Sequence, residues 1–189
     1  MILVKAIFAN LKPFILSLLF LLHCHEYGSI DHTDPGFSIS RGLMLYHGSP
    51  FTGKMIQKNP TLDETFITTY RNGLEDGEYT ARKGKGQLLE QRFYLAGEKH
   101  GIHRTWYENG NNRSYAEFMK GKYINESWSW YENGKPAKLD KYNEKGDILA
   151  TKVWNRLGII YMNLSFNPDG SSAGLPGSKI CEPIKSKRH

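Results

Sequence analysis

The chain has 189 residues, room for one domain of ordinary size after a processed leader and a loose tail are set aside. Aromatic residues make up 13% of it, which suits strands and excludes a disordered polymer. The formal charge of +6 raises nucleic acid as a partner, but the excess sits at the two ends: residues 27–178 hold 19 Lys or Arg against 17 Asp or Glu, a solvated balance and no phosphate-tracking stripe.

At the start, Lys5 and Lys12 flank an uncharged run from Pro13 to Leu22 that meets His23, Cys24, His25 and Glu26. This has the shape of a secretory signal and is too short to span a membrane comfortably as a helix, so export to the cell envelope is expected. Leu21-Leu22-His23-Cys24 resembles a bacterial lipoprotein signal, in which the cysteine is acylated, although His23 stands where that pattern has a small residue. Cys24 is therefore the candidate lipidation site for residues 1–24; an uncleaved anchor and a plain signal cut elsewhere are the alternatives. Cys181 is the other cysteine, and a bridge between the two would join flanking segments without stapling a core.

Residues 25–42 pass through Gly28, Asp31, Asp34-Pro35-Gly36 and Gly42 with little periodicity, and read as a linker. Residues 43–170 are different. Trp106-Tyr107-Glu108-Asn109-Gly110 returns as Trp130-Tyr131-Glu132-Asn133-Gly134, and the same 24-residue step places aromatics at Tyr46, Tyr70, Tyr94, Phe118, Tyr142 and Phe166. A period in the range of roughly 20 to 50 residues marks an array whose units bury their apolar faces on one another. Glycines about every dozen residues disfavour long helices and leave strands of about eight residues between turns. Asn72-Gly73, Asn109-Gly110 and Asn133-Gly134 are hairpin signals of the type I′ kind, which needs positive φ at both central residues. The expected fold is all-β, an elongated antiparallel meander of repeated 24-residue β-hairpins. Residues 171–189 read as a basic, flexible tail.

Alternation sends Ile102, Arg104, Trp106 and Glu108 to one face and His103, Thr105 and Tyr107 to the other. Units in register would then stack Trp106, Trp130 and Trp154 in one ladder, Tyr107 and Tyr131 in a second, and Tyr94, Phe118 and Tyr142 in a third. The second unit departs from the pattern, with Arg82-Lys83 in place of Trp-Tyr. Asn125 stands for a glycine in the fourth, and Gly146 is displaced by one residue.

Tyr-Glu-Asn-Gly preceded by Trp, the Gly-x-x-x-Gly spacing at Gly73–Gly77 and Gly97–Gly101, and the opening Tyr46-His47-Gly48-Ser49-Pro50-Phe51-Thr52-Gly53-Lys54 together resemble the MORN-variant repeat of YwqK-like antitoxin proteins. The resemblance covers about residues 43–170. It implies a MORN-like single sheet and an antitoxin-like role in holding a protein partner, by a repeat and not by a defined site.

No catalytic, metal or cofactor site is expected. His100 and His103 beside Glu98 point to opposite sides of a strand and read as surface histidines. Lys83-Gly84-Lys85-Gly86 lacks phosphate-loop spacing and reads as a turn with solvated lysines. Glu108 and Glu132 read as a row of like charges protecting an edge. The candidate partner-binding residues are Trp106, Tyr107, Trp128, Trp130 and Tyr131; one reading has most of these rings packing on one another to make the repeat, and the functional one has Trp128, whose counterpart one unit earlier is Arg104, exposed and gripping a partner. The expected function is a non-enzymatic exported scaffold that binds another protein and meets the membrane through its N-terminal anchor or lipid, with no role for nucleic acid. An envelope carbohydrate- or lipid-binding module using the aromatic rows is the alternative.

Overall fold

The computed structural model describes residues 28–177. The leader with Cys24, and Cys181 with the basic tail, lie outside the described residues. Among the described residues the chain forms strands and no helix: β1 (Ser29–Asp31), β2 (Phe37–Ser40), β3 (Leu43–Tyr46), β4 (Ser49–Pro50), β5 (Gly53–Asn59), β6 (Glu64–Arg71), β7 (Leu74–Lys83), β8 (Gln87–Leu95), β9 (Glu98–Lys99), β10 (Gly101–Trp106), β11 (Asn112–Met119), β12 (Lys122–Trp130), β13 (Pro136–Tyr142), β14 (Ile148–Trp154), β15 (Ile160–Phe166) and β16 (Ser172–Leu175). From β5 onward each strand pairs antiparallel with the next, β9 continuing β8 at its side, in one meandering sheet of 13 strands. That is the architecture the glycine spacing predicts.

Both ends of the sheet extend past the expected boundaries. Within the expected linker, β1 lies parallel to β5 with Ser29 opposite Lys54, and β2 joins β3 and β4 in a separate three-stranded sheet. A parallel pair needs a long crossover; the small sheet is that crossover. It is anchored by Phe51, which is fully buried with its ring 5.0 Å from Phe37 and 5.8 Å from Tyr70, and by the bonds from Met44 N to Gly73 O and from Gly73 N to Phe51 O. The Phe-Ser-Ile-Ser alternation of β2 carried this signal, but Pro and Gly on its N-terminal side masked it. At the other end, β16 adds a last strand, Ala173 opposite Ser165, inside what reads as tail.

The turns come in two kinds. Asn72-Gly73 has the positive φ pair of a type I′ turn (51° and 82°), and Ala96-Gly97 and Lys120-Gly121 repeat it. Asn109-Gly110 and Asn133-Gly134 do not. There only the glycine has positive φ, and the asparagine carboxamide accepts from the backbone N–H two residues on, Asn109 Oδ1 from Asn111 N and Asn133 Oδ1 from Lys135 N. This longer loop also replaces the two-residue turn at Asn143–Asp147, which is why Gly146 falls one residue late.

The third predicted ladder forms, with a physical amendment. Residues 24 apart lie two strands apart, about 10 Å, too far for single-ring side chains to meet directly. The intervening strands supply the links: Tyr94, His103, Phe118, Tyr123 and Tyr142 follow one another with ring centroids 5.6, 4.5, 4.4 and 5.2 Å apart. His103 is thus no surface residue. It is 8% exposed, its Nε2 donates to Phe93 O at 2.8 Å, and burial pushes its pKa below the usual histidine value. His100, by contrast, is exposed. Burial also pushes the Tyr142 phenol, at the end of the row, up to about 12.

A bulge recurs at Gly77, Gly101 and Asn125, all at positive φ (114°, 68° and 56°). Asparagine tolerates that region better than most side chains. The side chain of Asn125 is anchored there, its Nδ2 donating to Glu117 Oε2 at 2.6 Å. The substitution therefore preserves the backbone path.

Candidate functional site

Two regular turns define how neighbouring units are joined. Tyr107 at the end of β10 donates its hydroxyl to Trp130 O at 2.8 Å, and Tyr131, one unit on, donates to Trp154 O at 2.8 Å. Each ring carries a guanidinium over it, Arg113 at 5.7 Å from Tyr107 and Arg156 at 5.8 Å from Tyr131. The loops are tied in the same step: Asn109 Nδ2 and Asn111 Nδ2 donate to Glu132 O, and Asn133 Nδ2 donates to Arg156 O. The expected ring ladder of Tyr107 and Tyr131 is in fact a ladder of hydroxyl-to-carbonyl bonds.

One unit earlier the joint changes. Residue 83 is the counterpart of Tyr107 and is lysine, so no phenol can reach the carbonyl of Trp106. Among the described residues no side chain donates to that oxygen. Lys83 turns instead to the loop, its Nζ 2.5 Å from Glu108 Oε1, and this bond holds the ammonium pKa above its usual value. Gln87, the counterpart of Asn111, keeps the loop tie by donating to Glu108 O at 2.5 Å.

A cleft of about 480 Å³ opens at this joint. Its walls are Phe66, Ala81, Leu89, Thr105, Trp106 and Tyr107, its charged lining is Glu64, Glu90, Glu108, Glu132 and Arg113, and Lys83 is not part of it. Thr105 Oγ1 is spent on Ser114 Oγ at 2.7 Å. Glu90 is paired with Arg92, and Glu108 with Lys83; neither Glu64 nor Glu132 has an ion-pair partner among the described residues. Glu108 and Glu132, the like charges that recur with the repeat, are both exposed and both line this hollow.

The five sequence candidates divide among three places. Trp106 and Tyr107 line the cleft, and Trp106 joins no ring pair among the described residues. Trp128, Trp130 and Trp154 form a separate stack. Trp128 lies 5.9 Å from Trp130 and 6.0 Å from Trp154, with interplanar angles of 14° and 20°, spanning a strand whose Leu139 is buried. Trp128 is half-buried rather than exposed, and its Nε1 donates to Glu126 Oε2 at 2.8 Å, which with Lys141 holds that carboxylate below its usual pKa. Tyr131 is consumed by its bond to Trp154 O.

Phe66, Ala81, Leu89 and Arg113 escaped the sequence reading. Their signal was Arg82-Lys83 itself: a missing ring in a stacked array leaves a hole bounded by whatever that ring would have touched. Compared with protein-family models and with curated proteins, the chain matches none.

Proposed function

We propose that this chain is a non-enzymatic interaction module, an exported β-repeat scaffold that grips another protein at the cleft beside Trp106 and Tyr107 and is held at the membrane through residues 1–24, with Cys24 as the lipid attachment point. The observation that carries the reading is the cleft, a concave site in which apolar residues and five charged ones share the lining, of the size that binding sites commonly have. The resemblance to the MORN-variant, YwqK-like antitoxin repeat agrees with it, since such an array holds a partner by surface complementarity.

The carbohydrate- or lipid-binding alternative needs ring faces turned outward as stacking platforms. Trp128 turns its faces toward Trp130 and Trp154, and Lys152 Nζ sits 5.9 Å from the Trp154 ring centre, so the stack spends its faces internally. That geometry favours a protein partner. The test is affinity capture from detergent-solubilised envelope with the full chain and with Leu89→Arg, a change in the wall of the cleft. Stoichiometric recovery of one protein, lost in the variant, is expected; retention on peptidoglycan or anionic vesicles with no protein recovered would replace this reading with the alternative.

A further inference from the structure

Building on that reading, we infer that the cleft beside Trp106 is a socket for a tyrosine side chain of the partner, carried in a basic segment, so that the guest ring stands where the array lacks its own.

The template is the molecule itself. In the two regular joints a phenol leaves the end of one strand and donates to the Trp carbonyl of the next unit, with a guanidinium over its ring that comes from Arg113, the residue equivalent to Leu89, in the first joint and from Arg156 in the second. At the irregular joint the carbonyl acceptor is present, whereas the phenol is missing and a leucine stands in place of the first joint's arginine. Trp106 O is the acceptor without a side-chain donor. Leu89 stands at the position of Arg113 and, with Phe66 and Ala81, offers apolar contact to a ring face. Lys83 has left the space for Glu108. A phenylalanine would fill the volume but leave the carbonyl unanswered, so the hydroxyl is the source of discrimination.

Charge selects the flanks of the guest. Glu64 and Glu132, unpaired on the lining, favour lysine or arginine beside the tyrosine, whereas an acidic neighbour meets repulsion. The two paired carboxylates, Glu90 and Glu108, are already neutralised by Arg92 and Lys83.

The experiment titrates the full chain with the peptide acetyl-Lys-Tyr-Lys-amide, its Phe version and acetyl-Glu-Tyr-Glu-amide, by calorimetry and by amide chemical shifts. The basic tyrosine peptide is expected to bind with shifts confined to Leu89, Thr105, Trp106 and Tyr107. The Phe version should bind about threefold to tenfold more weakly, the loss of one hydrogen bond, and the acidic peptide more weakly still. Lys83→Tyr, which supplies the ring in cis, should cut affinity at least tenfold without lowering the urea midpoint. Equal affinity for the Tyr and Phe peptides, shifts centred elsewhere, no binding at all, or unaltered binding by a folded Lys83→Tyr protein would each overturn the socket; if that variant does not fold, the shift map and the peptide comparison decide alone. An envelope protein captured equally by the wild type and Lys83→Tyr leaves the scaffold reading intact and removes the socket. Specific peptide binding with no captured protein does the reverse.

Discussion

The joint at residue 83 and the joints at residues 107 and 131 are the same construction built with different side chains. Where tyrosine is present, the unit is closed: the ring is covered by a guanidinium and its hydroxyl is fixed on the next unit's backbone. Where lysine replaces it, the strands keep their pairing, with Thr80 opposite Gln91 and Gln91 opposite Arg104, yet a hollow of about 480 Å³ remains. Pairing of the backbone and filling of the faces are therefore separable in this sheet. Strand register is held by the ladder and the turns, while the side chains at the joint, residue 83 among them, set whether it is sealed or open.

That separation is broken most severely by removing a ring on which neighbouring strands converge. Phe118 is 5% exposed and sits between His103 and Tyr123, so Phe118→Ala should cost about 3–5 kcal/mol, read as a drop in urea or thermal midpoint. A cost near zero would mean that the backbone ladder alone carries these units.

The pH response of the same row comes next in size. Burial depresses the pKa of folded His103 below its unfolded value of 6.5, so the fold favours the neutral ring. The stabilisation is complete above that value and is lost as pH falls from 6.5 through the lower folded pKa. Stability measured from pH 7.5 to 5 should fall in the wild type and fall less in His103→Phe, which keeps a ring in the row. Parallel curves for the two proteins would remove His103 as the titrating group.

Much of this arrangement was legible in the residues and some was not, for identifiable reasons. The glycine spacing and the aromatic period determine the meander, since nothing but short strands fits between turns so close together. The Tyr94, Phe118 and Tyr142 row followed from the same period, but His103 and Tyr123 did not, because a period of two strands is silent about the strand between. Asn109-Gly110 and Asn72-Gly73 are the same dipeptide, and the pair alone does not reveal the longer loop in which the Asn109 and Asn133 carboxamides accept from the N–H of Asn111 and Lys135. β1 is too short, at three residues, to leave a periodic trace, and the alternation of β2 is masked by the Pro and Gly before it. In the cleft, Trp106 and Tyr107 were legible as repeated aromatics, whereas Phe66 and Leu89 become lining only because residue 83 fails to cover them.

A smaller effect tests the closed joints directly. Tyr131→Phe keeps the ring and deletes the bond to Trp154 O, so a loss of about 0.5–1.5 kcal/mol is expected. Tyr107→Phe should behave alike. A difference between the two larger than that range would show that the joints are not equivalent.

The smallest change in stability belongs to Lys83→Tyr, which trades an exposed ion pair for a sealed joint and should raise the urea midpoint slightly. Its structure is the most direct measurement of all. The introduced ring is predicted to lie in the cleft against Leu89 with its hydroxyl within hydrogen-bonding distance of Trp106 O, and the hollow to close. A ring turned to solvent above a cleft that stays open would contradict the claim that the hollow is the place of an absent tyrosine.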